Sequence, residues 1–206
     1  MKRLNAIMNF IDEKDIVADI GCDHGYLLKL AIENKNIIKG YAVDNKNGPL
    51  DSARNNLSCY NNVDFILSDG LKSVDKEDIN CVVIAGMGGM LINSIISDSI
   101  DKFKKVKKII LCPNRNVGNV RLFLILNGFK IINESIICED EKYYEILVVE
   151  VGEQSLTSDE IFFGPFLLKE KSEVFINKWK DYYNRIKYIP SKIDEINALK
   201  EVLNEC

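Results

Sequence analysis

The sequence predicts an α/β fold in which helices cover a mostly parallel sheet that ends in an antiparallel hairpin. Apolar runs of strand length alternate with helical stretches from residue 3 to about residue 127. Two longer β-like runs, at 129–138 and 143–151, flank the charged turn 139–142, which is typical of a hairpin. From about residue 166, apolar residues recur at helical spacing with a break at Pro190. This last pattern predicts a C-terminal helical hairpin that resembles a coiled coil.

The individual elements follow from the periodicity of the apolar residues. Helices are expected at residues 3–10, 27–34, 49–60, 90–97 and 117–127. Strands are expected at residues 15–20, 38–43, 63–67, 80–85 and 108–112. Because each of the first strands is followed by a helix or a long connection, these strands should lie parallel to one another. We therefore expect a sheet domain at residues 1–160 and a two-helix extension at residues 161–206.

Composition limits the class of protein. The chain has 206 residues, of which 47% are hydrophobic, and this is enough for a packed core. Six cysteines lie singly along the chain and there is one histidine, so we expect reduced, mostly buried thiols and no metal site. No apolar run approaches the ~20 residues that a membrane helix requires, and no signal-like segment opens the chain. A cytoplasmic protein is expected.

The distribution of charge leaves nucleic-acid binding open. A net charge of −4 argues against binding to nucleic acid through bulk attraction. Lysines nevertheless cluster between residues 102 and 108, and basic residues recur between 169 and 187. Each cluster is consistent with a basic face on an acidic protein. The alternative is a solvated helix surface in which basic and acidic residues alternate.

The turn after the first predicted strand carries the strongest functional signal. Asp19 ends an apolar run, and Gly21 and Gly25 follow at the spacing of a tight strand-to-helix turn. A second apolar run ends at Asp44, roughly 20 residues further on, where βαβ units present a carboxylate to ribose hydroxyls. These features predict a nucleoside site, although a glycine turn of another α/β protein remains the alternative.

The residue two positions after Gly21 separates two kinds of nucleoside ligand. Dinucleotide folds place glycine there, so that the backbone can approach a pyrophosphate, but this chain has Asp23. A carboxylate would repel a pyrophosphate, whereas it would attract the sulfonium and ammonium groups of S-adenosylmethionine. We therefore favour S-adenosyl-L-methionine over NAD as the ligand.

The chain resembles the bacterial tRNA (adenine(22)-N(1))-methyltransferases, the TrmK family, over nearly its whole length. The motifs that carry the resemblance are DIGCDHGYL at 19–27, NGPL at 47–50, SDGL at 68–71, IAGMGG at 84–89, PN at 113–114, YYEI at 143–146 and FGP at 163–165. Three positions depart from the family pattern: Cys22 replaces a common serine, Leu28 a proline and Cys112 a glutamine. The last departure removes a side-chain amide expected near the target base.

The resemblance implies a Rossmann-like class I methyltransferase sheet and methyl transfer from S-adenosylmethionine to N1 of an adenine in the D-arm of tRNA. It implies that tRNA is the partner, with no membrane and no obligate protein partner. The residues expected to hold the methyl donor are Asp19, Gly21, Asp44, Asp69, Gly70, Gly86 and Met87. A strand-end carboxylate can instead be a turn former or helix cap.

The same resemblance places the target adenine near the glycine turn. The expected catalytic residues are Asp23, Tyr26 and Asn114, and those expected to contact the RNA are Arg3, His24, Gly88, Gly89 and Arg121. His24 is equally consistent with a structural turn residue, because N1 of adenine needs no general base. Arg3 and Arg121 are expected to reach phosphates, with surface ion pairs as the alternative. A small-molecule methyltransferase and a catalytically silent binding protein remain the competing interpretations.

Overall fold

The computed structural model describes residues 1–204. Within them, seven strands form one sheet in the order β3-β2-β1-β4-β5-β7-β6. The strands are β1 Ile16–Ile20, β2 Lys39–Asp44, β3 Val63–Leu67, β4 Cys81–Ala85, β5 Lys108–Cys112, β6 Phe129–Glu139 and β7 Lys142–Val151. The first five strands are parallel, and β7 pairs antiparallel with both β5 and β6. The predicted parallel sheet with a final hairpin is confirmed.

Helices lie on both faces of this sheet and at its far edge. They are α1 Lys2–Met8, α2 Tyr26–Lys35, α3 Asn47–Asn56, α4 Gly89–Ser97, α5 Ile100–Phe103, α6 Val117–Leu126, α7 Ser158–Phe163, α8 Pro165–Glu170, α9 Glu173–Ile186 and α10 Ile193–Asn204. The sequence patterns did not predict α5, α7 or the break between α8 and α9. The break has a local cause, because Lys171 adopts a left-handed conformation and the Ser172 side chain caps α9.

Three apolar clusters stabilise the structure. Two of them lie on opposite faces of the sheet, each containing residues that alternate along β1 and β4. The third joins the C-terminal helices to β6, with Phe163, Phe175 and Trp179 packed against Ile136 and against α10. The helical hairpin predicted around Pro190 is present as α9 and α10, and it buries its apolar stripe both within itself and against the sheet edge.

The cysteines largely match the predicted buried thiols. Cys22, Cys81 and Cys112 are buried, Cys138 is half-buried and Cys59 is exposed, and all five are free. Burial raises the pKa of the Cys22, Cys81 and Cys112 thiols, which makes them poor nucleophiles at neutral pH. Cys206 lies outside the described residues. Across residues 1–204, no helix combines the length and the apolar character that a membrane crossing needs.

Candidate active site

The candidate site lies where the strand order reverses, between β1 and β4. In open parallel sheets, ligands bind beyond the carboxyl ends of the strands at this point. Gly21 turns the chain at the end of β1 with φ +75°, and a Cβ placed there would come within 2.1 Å of the Met87 Cε. Gly86, with φ +79°, opens the corresponding turn after β4, where an added Cβ would meet no atom within 4 Å. Gly86 therefore leaves open space beside exposed backbone for a ligand, whereas Gly21 allows the Met87 side chain to lie against the backbone of the first turn.

Asp19 is the buried carboxylate of this site. It is 5% exposed, near the end of β1 between Ala42 and Val83 of the neighbouring strands. Among the described residues, no donor hydrogen-bonds to its carboxylate. Burial, followed by the charges of Asp44 and Asp23, raises the pKa of Asp19 to about 7. An unpaired acid held in this way is suited to a cationic ligand that would supply the missing partner.

The turn after Asp19 presents polar and aromatic groups to solvent. Asp23 has a left-handed backbone, and the Gly25 N–H donates to the Cys22 carbonyl, which closes the turn. The ring of Tyr26, at the first residue of α2, is 48% exposed and lies 5.6 Å from the His24 ring. The Asp23 Oδ1 and His24 Nε2 atoms are 3.6 Å apart, and both side chains are exposed. The structure therefore brings these candidate residues together beside the glycine turn.

The next two strands contribute a carboxylate each. Asp44 ends β2, and its side chain accepts a hydrogen bond from the Lys46 N–H at 3.0 Å. Asp69 follows β3 and pairs with Lys72 at 2.6 Å, and Gly70 comes next with φ +60°. Both carboxylates are thus at the carboxyl edge, as expected, and each has an additional structural contact of its own.

The loops after β4 and β5 pack against each other. The Asn114 side chain donates to the Gly86 carbonyl, and the Asn114 backbone N–H donates to the Met87 carbonyl at 2.8 Å. Gly89 donates to the Arg115 carbonyl at 3.0 Å, and a Cβ at Gly89 would collide with the backbone of the same loop. Gly88 caps α4 beside the Arg115 side chain. The glycines at 88 and 89 are therefore required for close packing of the two loops.

The expectation that Arg121 reaches phosphates is wrong. Its side chain is fully buried, with Nε donating to Glu134 at 2.7 Å and a second ion pair to Glu145. The same guanidinium donates to the carbonyls of Ile161 and Phe162. Because these contacts occupy the guanidinium inside the protein, Arg121 fastens α7 and the hairpin strands together and cannot reach RNA.

Two of the five lysines between residues 102 and 108 are occupied by contacts within the protein. Lys102 donates to three backbone carbonyls of the segment 71–74 and pairs with Asp75. Lys108 is buried at the first residue of β5, where it pairs with Asp12 at 2.6 Å and Asp15 at 3.2 Å. Since β5 begins at the amino edge of the sheet, Lys108 lies at the edge opposite to the candidate site.

The glycine turns, the strand-end acids and the Pro113–Asn114 loop lie together at one edge of the sheet. The chain that carries them matches a known family over almost its whole length. The family model described as tRNA (adenine(22)-N(1))-methyltransferase, TrmK, covers residues 17–205. The chain belongs to the TrmK family. The Bacillus subtilis tRNA (adenine(22)-N(1))-methyltransferase is 33% identical over 203 residues, which is 94% of this chain and 85% of that protein.

Solved structures support the TrmK assignment. A Streptococcus pneumoniae putative tRNA (m1A22) methyltransferase in complex with S-adenosyl-L-methionine is 36% identical, with a TM-score of 0.93 over 98% of this chain and 99% of its own. Mycoplasma capricolum TrmK in complex with S-adenosyl-homocysteine is 28% identical, with a TM-score of 0.86 over 99% and 97% of the two chains. The seven-stranded sheet and the C-terminal helices are thus shared with members of the TrmK family.

Sequence reasoning missed several residues near the site in this TrmK chain. Arg115 directly follows the Pro113–Asn114 motif, and Arg185 was one of several basic residues on a predicted helix. Both line a cleft beside Asn114. Arg115 could have been predicted from its position next to the motif. Arg185 could not be predicted, because its place in the cleft depends on how α9 packs.

Proposed function

We propose that this protein transfers a methyl group from S-adenosylmethionine to N1 of adenine 22 in the D-arm of tRNA. The observation that carries the proposal is the buried, unpartnered Asp19 carboxylate at the switch point of a TrmK-family sheet. We assign donor binding and catalysis to residues 1–160 and the helical extension to residues 161–206. A tRNA substrate also favours the cytoplasm.

Each of the residues at the strand ends is assigned to a different part of S-adenosylmethionine. Asp19 and the backbone at Gly21 hold the cationic methionine end, and Asp44 accepts from the ribose hydroxyls. Asp69 and the Gly70 backbone hold the adenine of the donor, and Gly86 and Met87 line the methyl. When bound, S-adenosylmethionine supplies an electrophilic methyl group. The residues fit it because the crevice offers carboxylates to its cationic end, and the same carboxylates would repel a pyrophosphate.

Replacing Asp44 with alanine is expected to raise the dissociation constant of S-adenosylmethionine about tenfold. The reason is the loss of charge-assisted hydrogen bonds to two ribose hydroxyls. Calorimetric titration measures the change. Asp51→Ala, which removes an exposed carboxylate of α3 paired with Arg54, is the matched control and should leave the constant unchanged. An unaltered constant for Asp44→Ala would exclude Asp44 from the donor site.

Residues around the glycine turn position the target base. N1 of adenine carries a lone pair, so the enzyme removes no proton before the transfer and must desolvate and align that pair. We assign Tyr26 to stack on the adenine, Asp23 to accept from the exocyclic amine and to offset the new ring charge, and Asn114 to orient the base. His24 borders the base, with Gly88 and Gly89 shaping the wall. N1 of a paired adenine is blocked, so the nucleotide must be turned out of its helix.

Changing Tyr26 to alanine is expected to lower the single-turnover rate on tRNA by roughly 30-fold, because the ring that holds the base is lost. Tyr26→Phe keeps the ring and should retain the rate within about threefold. Rapid-quench assays at saturating donor and tRNA measure both rates. Since Tyr26 lies outside the donor contacts, donor affinity should stay constant in both variants. Full rates in both variants would contradict the stacking role.

The reaction itself is tested by transfer of a labelled methyl group to unmodified tRNA. The proposal expects incorporation that disappears when adenine 22 is replaced by another nucleotide. Donor binding without transfer to any tRNA would favour a small-molecule methyltransferase or a silent binding protein.

A further inference from the structure

A large cleft separates the candidate site from the C-terminal helices. It has a volume of about 940 Å³ and lies between the loop at 113–116 with the first turn of α6, the start of β7 and one side of α9. This volume is within the range of sites for ligands of nucleotide size, ~300–1,000 Å³. Pro113 and Asn114 form part of its wall. Because Asn114 also bonds to Gly86 and Met87, the cleft begins where the target base is expected to lie.

The cleft is basic, although the protein as a whole is acidic. Five cationic and two acidic side chains line it. One of the acids, Glu145, is already neutralised by Arg121 and Lys178. The guanidinium groups of Arg3, Arg115 and Arg185 form no ion pair with any residue among 1–204. Three cations without a carboxylate partner on one cleft are suited to an anionic ligand.

Two residues in the walls of the cleft carry hydrogen-bond donors that have no partner among residues 1–204. In residues 1–204, three side-chain polar atoms that are wholly shielded from solvent have no hydrogen-bond partner, and two of them are donors on residues of this cleft: Arg3 Nε and Trp179 Nε1. Trp179 is only 5% exposed, so its indole N–H is withheld from bulk water. Buried donors are normally satisfied. Both atoms are shielded from solvent in this structure, so a ligand in the cleft would accept from them only after a local shift of the side chains.

An aromatic platform accompanies these cations. The Arg3 guanidinium carbon lies 4.9 Å from the centre of the Tyr144 ring. The Tyr144 hydroxyl forms no hydrogen bond with a described residue, unlike that of Tyr143, which donates to Asp181. Unstacked RNA bases bind to such rings and guanidinium planes.

We propose that this cleft binds a nucleotide of the tRNA that adjoins the target adenine, with its phosphate on Arg115 and Arg185 and its base on Tyr144 beside Arg3. The proposal rests on the proposed function, because it assumes that tRNA is the substrate. It assigns the inner side of α9 to substrate binding and explains why a packing helix carries an unpaired arginine.

The phosphate contacts are tested by direct binding of unmethylated tRNA. Arg115→Ala and Arg185→Ala should each raise the dissociation constant about tenfold and reduce the slope of log affinity against log salt by about 0.7–0.9. Lys180→Ala, an exposed cation of α9 outside the cleft, is the matched control. The affinity for S-adenosylmethionine, measured in parallel, should not change. Unaltered tRNA affinity and salt slope in both arginine variants would overturn the proposal.

The base contact is tested with tRNAs that carry an abasic residue on either side of the target adenine. Wild-type protein is expected to lose about tenfold in affinity for one of the two tRNAs. Tyr144→Leu should abolish this difference, because the platform is already lost. Equal penalties in wild type and Tyr144→Leu would exclude Tyr144 as the platform. Binding that follows these expectations without methyl transfer would reject the proposed reaction and leave the cleft assignment standing.

Discussion

Replacing Arg121 with methionine is expected to lower the free energy of unfolding by about 3–5 kcal/mol, because it leaves the buried Glu134 carboxylate without a cation and the buried Glu145 carboxylate with Lys178 alone. Burial alone would raise the pKa of Glu145, but the charges of Arg121 and Lys178 lower it. Burial raises the pKa of Glu134, and Arg121 offsets part of that effect. Urea denaturation followed by circular dichroism measures the loss of stability.

Two further variants separate the buried network from a general effect of losing an arginine. Arg54→Met removes an exposed arginine that pairs with Asp51, and it should cost less than about 1 kcal/mol. Adding Glu134→Gln to Arg121→Met should recover part of the loss, because one unpaired carboxylate is neutralised. A cost for Arg121→Met as small as that of Arg54→Met would show that the network does not hold the hairpin strands to α7.

Changing Asp19 to asparagine is expected to weaken binding of S-adenosylmethionine by about 100-fold and, at the same time, to stabilise the unliganded protein. Affinity falls because the buried carboxylate no longer faces the cationic end of the donor. Stability rises because the pKa of Asp19 is raised to about 7 in the folded protein. A carboxyl group with a raised pKa makes its full contribution to the free energy of unfolding below its unfolded pKa of 3.8. That contribution is lost as the pH rises through about 7. At pH 8, the free energy of unfolding of Asp19→Asn should exceed that of the wild type by no more than about 4 kcal/mol.

The pH dependence of donor binding follows from the same residue. The ionised carboxylate attracts the cation, so wild-type affinity should increase as the pH rises from 6 to 8, with net release of a proton at pH 6. Calorimetry in two buffers with different ionisation enthalpies measures that proton. Asp19→Asn removes the contribution of the protein, and Asp64→Asn, at an exposed ion pair with Lys39, should behave as wild type. Equal proton release by wild type and Asp19→Asn would contradict a raised pKa at Asp19.

The sequence by itself determined the order of the elements and which side chains stand at the carboxyl edge of the sheet. Strand and helix periodicities are local, so the parallel strands, the final hairpin and the helices around Pro190 could be predicted from neighbouring residues. Asp19, Gly21 and Asp44 could be placed at one edge for the same reason, because the chain must turn at the end of each parallel strand and all of these ends meet there; their role in donor binding stays a prediction. The short helices α5 and α7 lacked enough residues to show a period.

Only the tertiary structure decided which cations are available to a ligand. Arg121 is paired with Glu134 and Glu145, which lie 13 and 24 residues further along the chain, and no local pattern shows such a pairing. Lys102 and Lys108 belong to a lysine cluster in the sequence, but backbone carbonyls of residues 71–74 hold Lys102, and the carboxylates of Asp12 and Asp15 hold Lys108. The charge of a side chain is written in the sequence, but its burial and its partners depend on contacts between distant segments. Those contacts occupy Arg121, Lys102 and Lys108, whereas Arg3, which was also expected to bind RNA, has no carboxylate partner among residues 1–204 and lies along the cleft with Arg115 and Arg185.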